Sequence, residues 1–303
     1  MSLSRHKSSY FQKRFKDKPI EALMLLCALL SIIFLFLMLL FIAREGMQAL
    51  LTFGMDFVTG HVWDTNLNLY GALPLIYGSL MVVAGALMVA VPLGVATAIF
   101  VEEVLPFSLR DLIKSLIELL ASIPSVIYGF IGVLFLAPRV ASIFGLSSGT
   151  VALTASLVLA VMTVPTIVSI SGETIAAVPK EYKEAALALG ATKWQTVKDV
   201  VIPTAKSGIL ASVMLGFGRA IGETVAVLMV AGNVAMIPTP PWNFLSPVYT
   251  LTAVIAMQMG EAAIGTLEYS ALFGLGLILF IITLIVNSLA DILVKRGVKR
   301  LGG

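Results

Sequence analysis

Residues 22–43 read ALMLLCALLSIIFLFLMLLFIA and contain no charged side chain. An α-helix needs about 20 apolar residues to cross the hydrocarbon core of a bilayer, so this run is long enough to span a membrane. Water does not reach backbone groups at that depth, and a helix satisfies them within the segment. The run lacks the small-residue cleavage site that ends a signal peptide, so we expect a first transmembrane helix over residues 21–44.

The composition of the 303-residue chain points the same way. Hydrophobic residues make up 59% and charged residues 12%, and the mean hydropathy is +1.01. Soluble domains are about half apolar and about a quarter charged, so the composition excludes a water-soluble globule, a disordered protein and a nucleic-acid binder. The lone cysteine, Cys27, excludes a disulfide framework and a cysteine-based metal site.

Further apolar stretches predict five more crossings, and a shorter one does not reach the required length. The segment at residues 248–260 is too short to cross, and we expect it to be re-entrant. The chain is therefore predicted to be an all-α polytopic membrane protein with six transmembrane helices. The five later crossings are expected at residues 79–100, 115–138, 150–171, 207–232 and 269–290.

Most of the 20 lysines and arginines fall in segments that six crossings place on one side of the membrane. Cytoplasmic loops retain such residues, so we expect both termini in the cytoplasm. The N-terminal tail also carries aromatic residues, and we expect it to rest on anionic lipid rather than to bind nucleic acid. The basic segments are the tail at residues 1–20, the loop near 101–114, the loop at 173–206 and the tail at 295–303.

The loop at residues 173–206 is predicted to form two short helices. Pro179 is placed to begin the first and Gly190 to end it, and Thr192 with Gln195 has the spacing of a capping box that starts the second. The residues alone leave two interpretations open: an amphipathic pair that lies on lipid headgroups, or a contact site for another protein. One face of the first helix carries Tyr182, Ala185, Ala186 and Leu189.

Three ionisable residues lie inside predicted crossings: Glu118, Arg219 and Glu223. A charge at mid-bilayer costs at least a few kcal/mol, so these side chains should face protein or an aqueous cavity. Arg219 either pairs with one of the two carboxylates or lines the path of an anion, with Glu223 orienting it. The spacing of Gly218 and Gly222 is typical of close helix packing.

The loop also resembles a known family. Glu184-Ala185-Ala186, then Gly190, then VVIP at residues 200–203 is similar to the EAA–Gly–(I-x-L-P) loop of ABC importer permeases. In that family the helix before the glycine is the coupling helix, which sits in a groove of the ATPase subunit. The resemblance implies a type I permease fold over residues 70–294. It also implies that the residues that contact or hinge against the ATPase are Tyr182, Glu184, Ala185, Ala186, Leu189 and Gly190.

Three further segments resemble phosphate importer permeases, and the PstC member of that family more than its PstA partner. They read YGALPLIYG at residues 70–78, IELLASIPSVIYG at 117–129 and GRAIGETVAV at 218–227. The resemblance implies a multi-pass subunit of the inner (cytoplasmic) membrane that forms half of the pathway of an ATP-driven phosphate importer. Its expected partners are a PstA-type second permease, a dimer of PstB-type ATPase subunits and a PstS-type external phosphate-binding protein.

The chain contains no GxxxxGK[ST] motif, whose glycines would hold the phosphates of ATP. ATP is therefore expected on the ATPase partner, and we expect no cofactor, metal or catalytic residue here. Phosphate itself suits Arg219, since a guanidinium offers paired donors to its oxygens. The net-acidic loops on the other side favour delivery by a carrier over free capture.

Other functions remain open at the level of sequence. In the first alternative, the chain is the same kind of permease but transports another oxyanion, molybdate or sulfate. In the second, the chain is an ion-coupled secondary transporter, although the inverted repeats of that class are not visible. In the third, it is a membrane sensor or scaffold that transports nothing.

Overall fold

The computed structural model describes residues 3–299, with side chains from residue 20 to residue 289 and at residue 292. The basic residues of the two predicted tails lie outside these described side chains. Six helical stretches among the described residues are long and apolar enough to cross a membrane, which confirms the predicted number. They are Ile20–Phe53, Leu73–Val104, Ser125–Phe144, Ala152–Ala176, Lys193–Ile221 and Leu267–Leu289.

The described residues are mostly helical, and three π-helical turns interrupt the α-helices. These turns are Phe100–Val104, Gly132–Leu136 and Val197–Val201. In chain order the elements are α1 (Leu3–Phe53), α2 (Asp56–Thr59), β1 (Trp63–Asp64), β2 (Leu69–Tyr70), α3 (Leu73–Ile99), α4 (Phe107–Ser122), α5 (Ser125–Ile131), α6 (Ala137–Phe144), α7 (Ala152–Ala176), α8 (Lys180–Ala188), α9 (Lys193–Thr196), α10 (Ile202–Ile221), α11 (Val225–Val230), α12 (Leu251–Gln258) and α13 (Leu267–Lys299).

The prediction for the third crossing was wrong in its boundaries. Residues 115–138 do not form one helix, because α4 ends at Ser122 and the crossing starts at Ser125. Pro124 disfavours helical backbone at the preceding residue, and Ile123 is extended with ψ of 127°. Hydropathy alone does not register this break, since the apolar residues continue through it.

The fifth crossing is also displaced from its predicted range, 207–232. It begins at Lys193 and ends at Ile221, so the loop before it is shorter than the expected 173–206. Pro203 is the second residue of α10, directly after the π-helical turn Val197–Val201. The helix then stops at Gly222 before α11 starts.

The core is built from α3, α7, α10 and α11. Gly94 of α3 lies so close to α7 that a Cβ there would be 2.7 Å from Cγ2 of Ile167. Ser171 of α7 and Ser212 of α10 share a buried hydrogen bond of 2.7 Å. Small residues and hydroxyl groups at helix contacts are typical of membrane bundles, since helices there associate by close packing and not by exclusion of water.

The first helix touches the rest of the chain mainly where it crosses α13. A Cβ on Gly46 would lie 2.8 Å from the backbone nitrogen of Gly274. Next to this point Ser270 donates from Oγ to the carbonyl of Glu45, at 2.6 Å, and accepts from the N–H of Ala49, at 2.9 Å. The most apolar window of this first crossing has no buried residue, so lipid or another chain must cover it.

Two sides of the bundle differ in structure. One side, here called the basic side, carries α8, the end of α7 and the start of the fifth crossing. The opposite side carries the antiparallel pair β1 and β2, where Trp63 donates from Nε1 to Oε1 of Gln258 at 3.0 Å. As expected, the segment at 248–260 is too short to cross: its helix is α12, and Leu251, Ala253 and Val254 are buried.

The α1–α13 crossing gives a stability prediction. We expect Gly46→Ala to destabilise the protein by about 1–3 kcal/mol, the usual cost of over-packing, because the methyl group would meet backbone that cannot yield. The measurement is the midpoint of thermal unfolding in detergent. Gly276→Ala is the matched control, since a Cβ there meets a single atom, Cγ2 of Ile42, at 3.8 Å. Equal midpoints for the two variants would contradict the crossing.

Candidate functional site

The open face of α10 carries Arg219 in its last turn. Phe217, Ala220 and Ile221 are buried on the other side of the helix, and Arg219 is exposed. A Cβ on Gly218 would meet nothing within 4 Å. The prediction of close helix packing at Gly218 is therefore wrong within the described chain, and this face of α10 is open around the arginine.

The guanidinium of Arg219 contacts two neutral acceptors. It donates to Oγ1 of Thr166 on α7 at 2.7 Å and to the carbonyl oxygen of Ala121 on α4 at 3.5 Å. Among the described residues no carboxylate lies within 4 Å of it, so the pairing of Arg219 with Glu223 or Glu118 is not found. A guanidinium has five N–H donors, so several remain available to an anion.

Glu223 acts on the backbone next to Arg219. Its Oε1 accepts from the N–H of Ala226 at 3.1 Å, which places a negative charge at the start of α11, where the helix dipole favours it. Its carbonyl oxygen accepts from Oγ1 of Thr252 on α12 at 3.0 Å. Glu223 therefore fixes the break that ends α10 and anchors the helix that follows.

Glu118 is not brought together with Arg219. It is exposed on α4 and lines a cavity of about 150 Å³ between α3, α4 and α7. Glu102 and Lys114 line the same cavity. Glu118 forms no ion pair with Arg219 within the described chain, and a role for Glu118 in the pathway stays a prediction.

On the basic side, α8 begins and ends where the sequence predicts. Pro179 precedes its first residue, and Gly190 follows its end with φ of +86°. The N–H of Ala191 bonds the carbonyl of Ala186 at 3.1 Å, and the N–H of Gly190 bonds that of Leu187 at 3.0 Å. This is a Schellman termination, which favours glycine at the left-handed position.

Exposed apolar side chains lie on α8 and directly after it, among the charged residues of the helix. Tyr182 is 56% and Leu189 90% exposed, and Glu184 and Ala185 are also exposed. Trp194 of α9 is 65% exposed. The Thr192–Gln195 capping box that starts α9 is present, with bonds of 3.2 and 2.8 Å. A patch of exposed apolar side chains on a rigid helix pair is suited to binding another protein.

Several residues that the structure brings to these sites were not predicted from the sequence. Thr166 follows Pro165 in an uncharged run, and the carbonyl of Ala121 is backbone, so neither has a signal in the sequence. Glu102 and Glu103 end the apolar stretch that contains α3, and this change from apolar to charged residues was available as a signal. They bind Lys114 and Lys183, on α4 and α8, at 2.7 and 2.6 Å.

Comparison with solved structures shows the fold. A chain of a bacterial alginate ABC transporter, solved in complex with an alginate pentasaccharide-bound periplasmic protein, superposes with a TM-score of 0.62. The match has 18% identity and covers 90% of this chain and 94% of the other. A chain of the MetNI methionine ABC transporter in an inward-facing conformation gives a TM-score of 0.55 at 18% identity, over 77% and 97% of the two chains. The fold is that of type I ABC importer permeases.

Sequence relatives are closer. The probable ABC transporter permease protein YqgH of Bacillus subtilis is 37% identical over 289 residues, which is 93% of each chain. The phosphate transport system permease protein PstC of Mesorhizobium japonicum is 39% identical over 274 residues, 84% of this chain and 83% of the relative. The protein of the same description from Haemophilus influenzae is 34% identical over 95% and 96% of the two chains.

The family comparison covers the bundle from the middle of α3 onward. Residues 90–301 match the family described as the inner membrane component of binding-protein-dependent transport systems. That range contains both α8 with its glycine stop and the open face of α10 with Arg219. The chain therefore belongs to the family of binding-protein-dependent transport system inner membrane components.

Proposed function

We propose that this chain is a PstC-type permease subunit of an ATP-driven phosphate importer. The observation that carries the proposal is the exposed guanidinium of Arg219, which contacts neutral acceptors and keeps donors free. The relatives that are named for phosphate transport support the choice of substrate. Like its permease relatives, the chain is a transport component and not an enzyme.

Arg219 would bind phosphate along the pathway by charge-assisted hydrogen bonds. Its contact with the carbonyl of Ala121, at 3.5 Å, is the weaker of the two and can give way to a phosphate oxygen. Thr166 holds the other side of the guanidinium at 2.7 Å and so fixes its plane. An arginine presents two parallel N–H groups to an oxyanion, and a site with little water strengthens that attraction.

Glu223 would keep phosphate in place indirectly, by fixing the end of α10. Its carboxylate is used at the start of α11, so it does not neutralise Arg219. Glu118 lines the cavity between α3, α4 and α7, on the basic side of Arg219, and would border a later part of the path. This chain would form half of the pathway, and the open face of α10 would meet the second permease.

The partners follow from the family. An importer of this family works with an ATPase and with a binding protein. We propose that the ATPase is a PstB-type dimer, which carries the ATP, and that it contacts α8 through Tyr182, Glu184, Ala185, Ala186, Leu189 and Gly190. A PstA-type permease and a PstS-type phosphate-binding protein would complete the complex. The basic side is then cytoplasmic, with both termini on it.

Removal of the guanidinium tests the substrate site. We expect Arg219→Gln to lower phosphate uptake by about 10- to 100-fold, since a hydrogen bond to a charged group contributes about 1.5–3 kcal/mol. The measurement is uptake of radiolabelled phosphate by cells that contain the complex, with sulfate or molybdate as competitor. Competition by either anion at equal concentration would instead identify an importer of that oxyanion.

Arg139→Gln is the matched control for this measurement. Arg139 is also exposed, and its guanidinium contacts the carbonyl of Phe135, in the π-helical turn that precedes α6, at 3.4 Å. We expect this variant to keep normal uptake. If Arg219→Gln also keeps normal uptake while the partners co-purify, Arg219 is not part of the phosphate pathway.

The glycine that ends α8 gives a separate prediction about coupling. We expect Gly190→Val to weaken binding of the ATPase or its coupling to uptake, because a left-handed backbone costs a branched residue about 1–3 kcal/mol. Co-purification of the ATPase and uptake per ATP hydrolysed are the measurements. Gly145→Val is the control: Gly145 ends α6 at φ of +66° on the opposite side, and a Cβ at either glycine meets nothing within 4 Å. Equal effects on ATPase binding would contradict the assignment of α8.

A further inference from the structure

Two adjacent carboxylates occupy the π-helical turn that ends α3. Glu102 is 6% exposed, and the side chain of Glu103 is 13% exposed. A negative charge at the C-terminal end of a helix is disfavoured by the helix dipole, and its removal from water adds a further cost. Carboxylates persist in such a place only when cations lie close to them.

The cations that meet these carboxylates come from two different helices. Oε1 of Glu102 lies 2.7 Å from Nζ of Lys114, and its Oε2 lies 3.9 Å from a guanidinium nitrogen of Arg110, both on α4. Oε1 of Glu103 accepts from Nζ of Lys183, on α8, at 2.6 Å. The π-helical turn at the end of α3 is therefore joined to α4 by Glu102 and to α8 by Glu103.

Polar contacts add to the partly buried apolar packing of α4, to which Ile117 contributes. The helix contributes no buried residue, and a cavity of about 150 Å³ lies between it and its neighbours α3 and α7. At its far end the carbonyl of Leu120 accepts from the hydroxyl of Tyr128 at 2.8 Å, and that of Ala121 accepts from Arg219. Ion pairs thus hold one end of α4, and the other end touches the pathway arginine.

We propose that Glu102 and Glu103 are positioning residues that transmit movement of α8 through α4 to Arg219. The inference rests on the proposed function, in which α8 contacts the ATPase. Displacement of α8 acts on Glu103 through Lys183. The same turn carries Glu102, so α4 moves with it. The long contact between Ala121 and Arg219 then shortens or breaks, which changes how many donors face the anion. Partly buried ion pairs are screened little by salt, so the connection persists at cellular ionic strength.

The test uses the complete complex in proteoliposomes, with its ATPase, second permease and binding protein. ATP hydrolysis is measured with and without the phosphate-loaded binding protein, together with phosphate uptake. We expect Glu103→Gln to lower the stimulation by the binding protein roughly twofold to thirtyfold, the range found for changes along coupling networks, and to lower phosphate uptake per ATP. The ATPase should still co-purify in normal amount, since Glu103 contacts Lys183 of α8 and is not among the residues proposed to contact the ATPase.

Exchange of the charges of Glu103 and Lys183 distinguishes a role of this ion pair in transmission from a merely structural role. The double variant Glu103→Lys with Lys183→Glu rebuilds the pair in reverse and should recover most of the stimulation. Lys180→Gln removes a lysine from the same helix, one that forms no ion pair with a described residue, and should leave stimulation unchanged. Normal stimulation in Glu103→Gln, or no recovery in the double variant, would overturn the inference. If Glu103→Gln fails to assemble, the double variant alone decides by the same criterion.

The proposed function and this inference fail in different ways. Absence of phosphate uptake by the wild-type complex would overturn the phosphate assignment. In that case the stimulation of ATP hydrolysis is measured with the binding protein loaded with the anion that the complex does take up, and it still reports transmission. Normal wild-type uptake combined with normal stimulation in Glu103→Gln would leave the importer intact and remove the two carboxylates from its mechanism.

Discussion

The cost of placing charge in a medium of low dielectric constant governs this structure. A buried charge must find partners, or it must serve a function that outweighs the cost. Glu102 and Glu103 find cations within 4 Å on two neighbouring helices, so each carboxylate has an ion-pair partner within the chain. Arg219 instead finds a hydroxyl group and a carbonyl oxygen. The contrast supports the proposal that the partner of Arg219 comes from outside the chain.

Helix ends place these charges. The break between α10 and α11 leaves Arg219 in a last turn, and Glu223 stabilises that break by accepting from the start of α11. The Schellman stop at Gly190 limits α8 to a short rigid helix. In both cases the geometry depends on how a helix stops more than on how it packs, and both ends lie in segments that resemble the family motifs.

The number of crossings was predictable from the sequence, because apolar length reports directly on the thickness of a bilayer. Two of the boundaries were not. The apolar residues run on through Pro124 and through Gly222, where the backbone leaves the helix, and hydropathy measures solvent preference without regard to backbone geometry. The role of Gly190 in ending α8 was predicted correctly. A glycine after a short amphipathic run favours the end of a helix through its own backbone conformation, and tertiary packing does not change that here.

The candidate site was predictable only in part, for a similar reason. An arginine in an apolar run is visible in any hydropathy pattern, whereas its contacts with Thr166 and with the carbonyl of Ala121 join residues 53 and 98 positions away. The spacing of Gly218 and Gly222 suggested packing, but a Cβ on Gly218 meets open space. Local spacing does not tell a face that packs within the chain from one that faces a pathway.

The most direct measurement is the reactivity of a cysteine placed beside Arg219. Cys27 is the one native cysteine, so Cys27→Ser with Gly222→Cys gives a single thiol on the exposed glycine that follows α10. In the assembled complex, a water-soluble thiol reagent should modify this cysteine, and phosphate should slow the reaction more than sulfate at the same concentration. No modification, or a rate that phosphate leaves unchanged, would contradict an open anion path at Arg219.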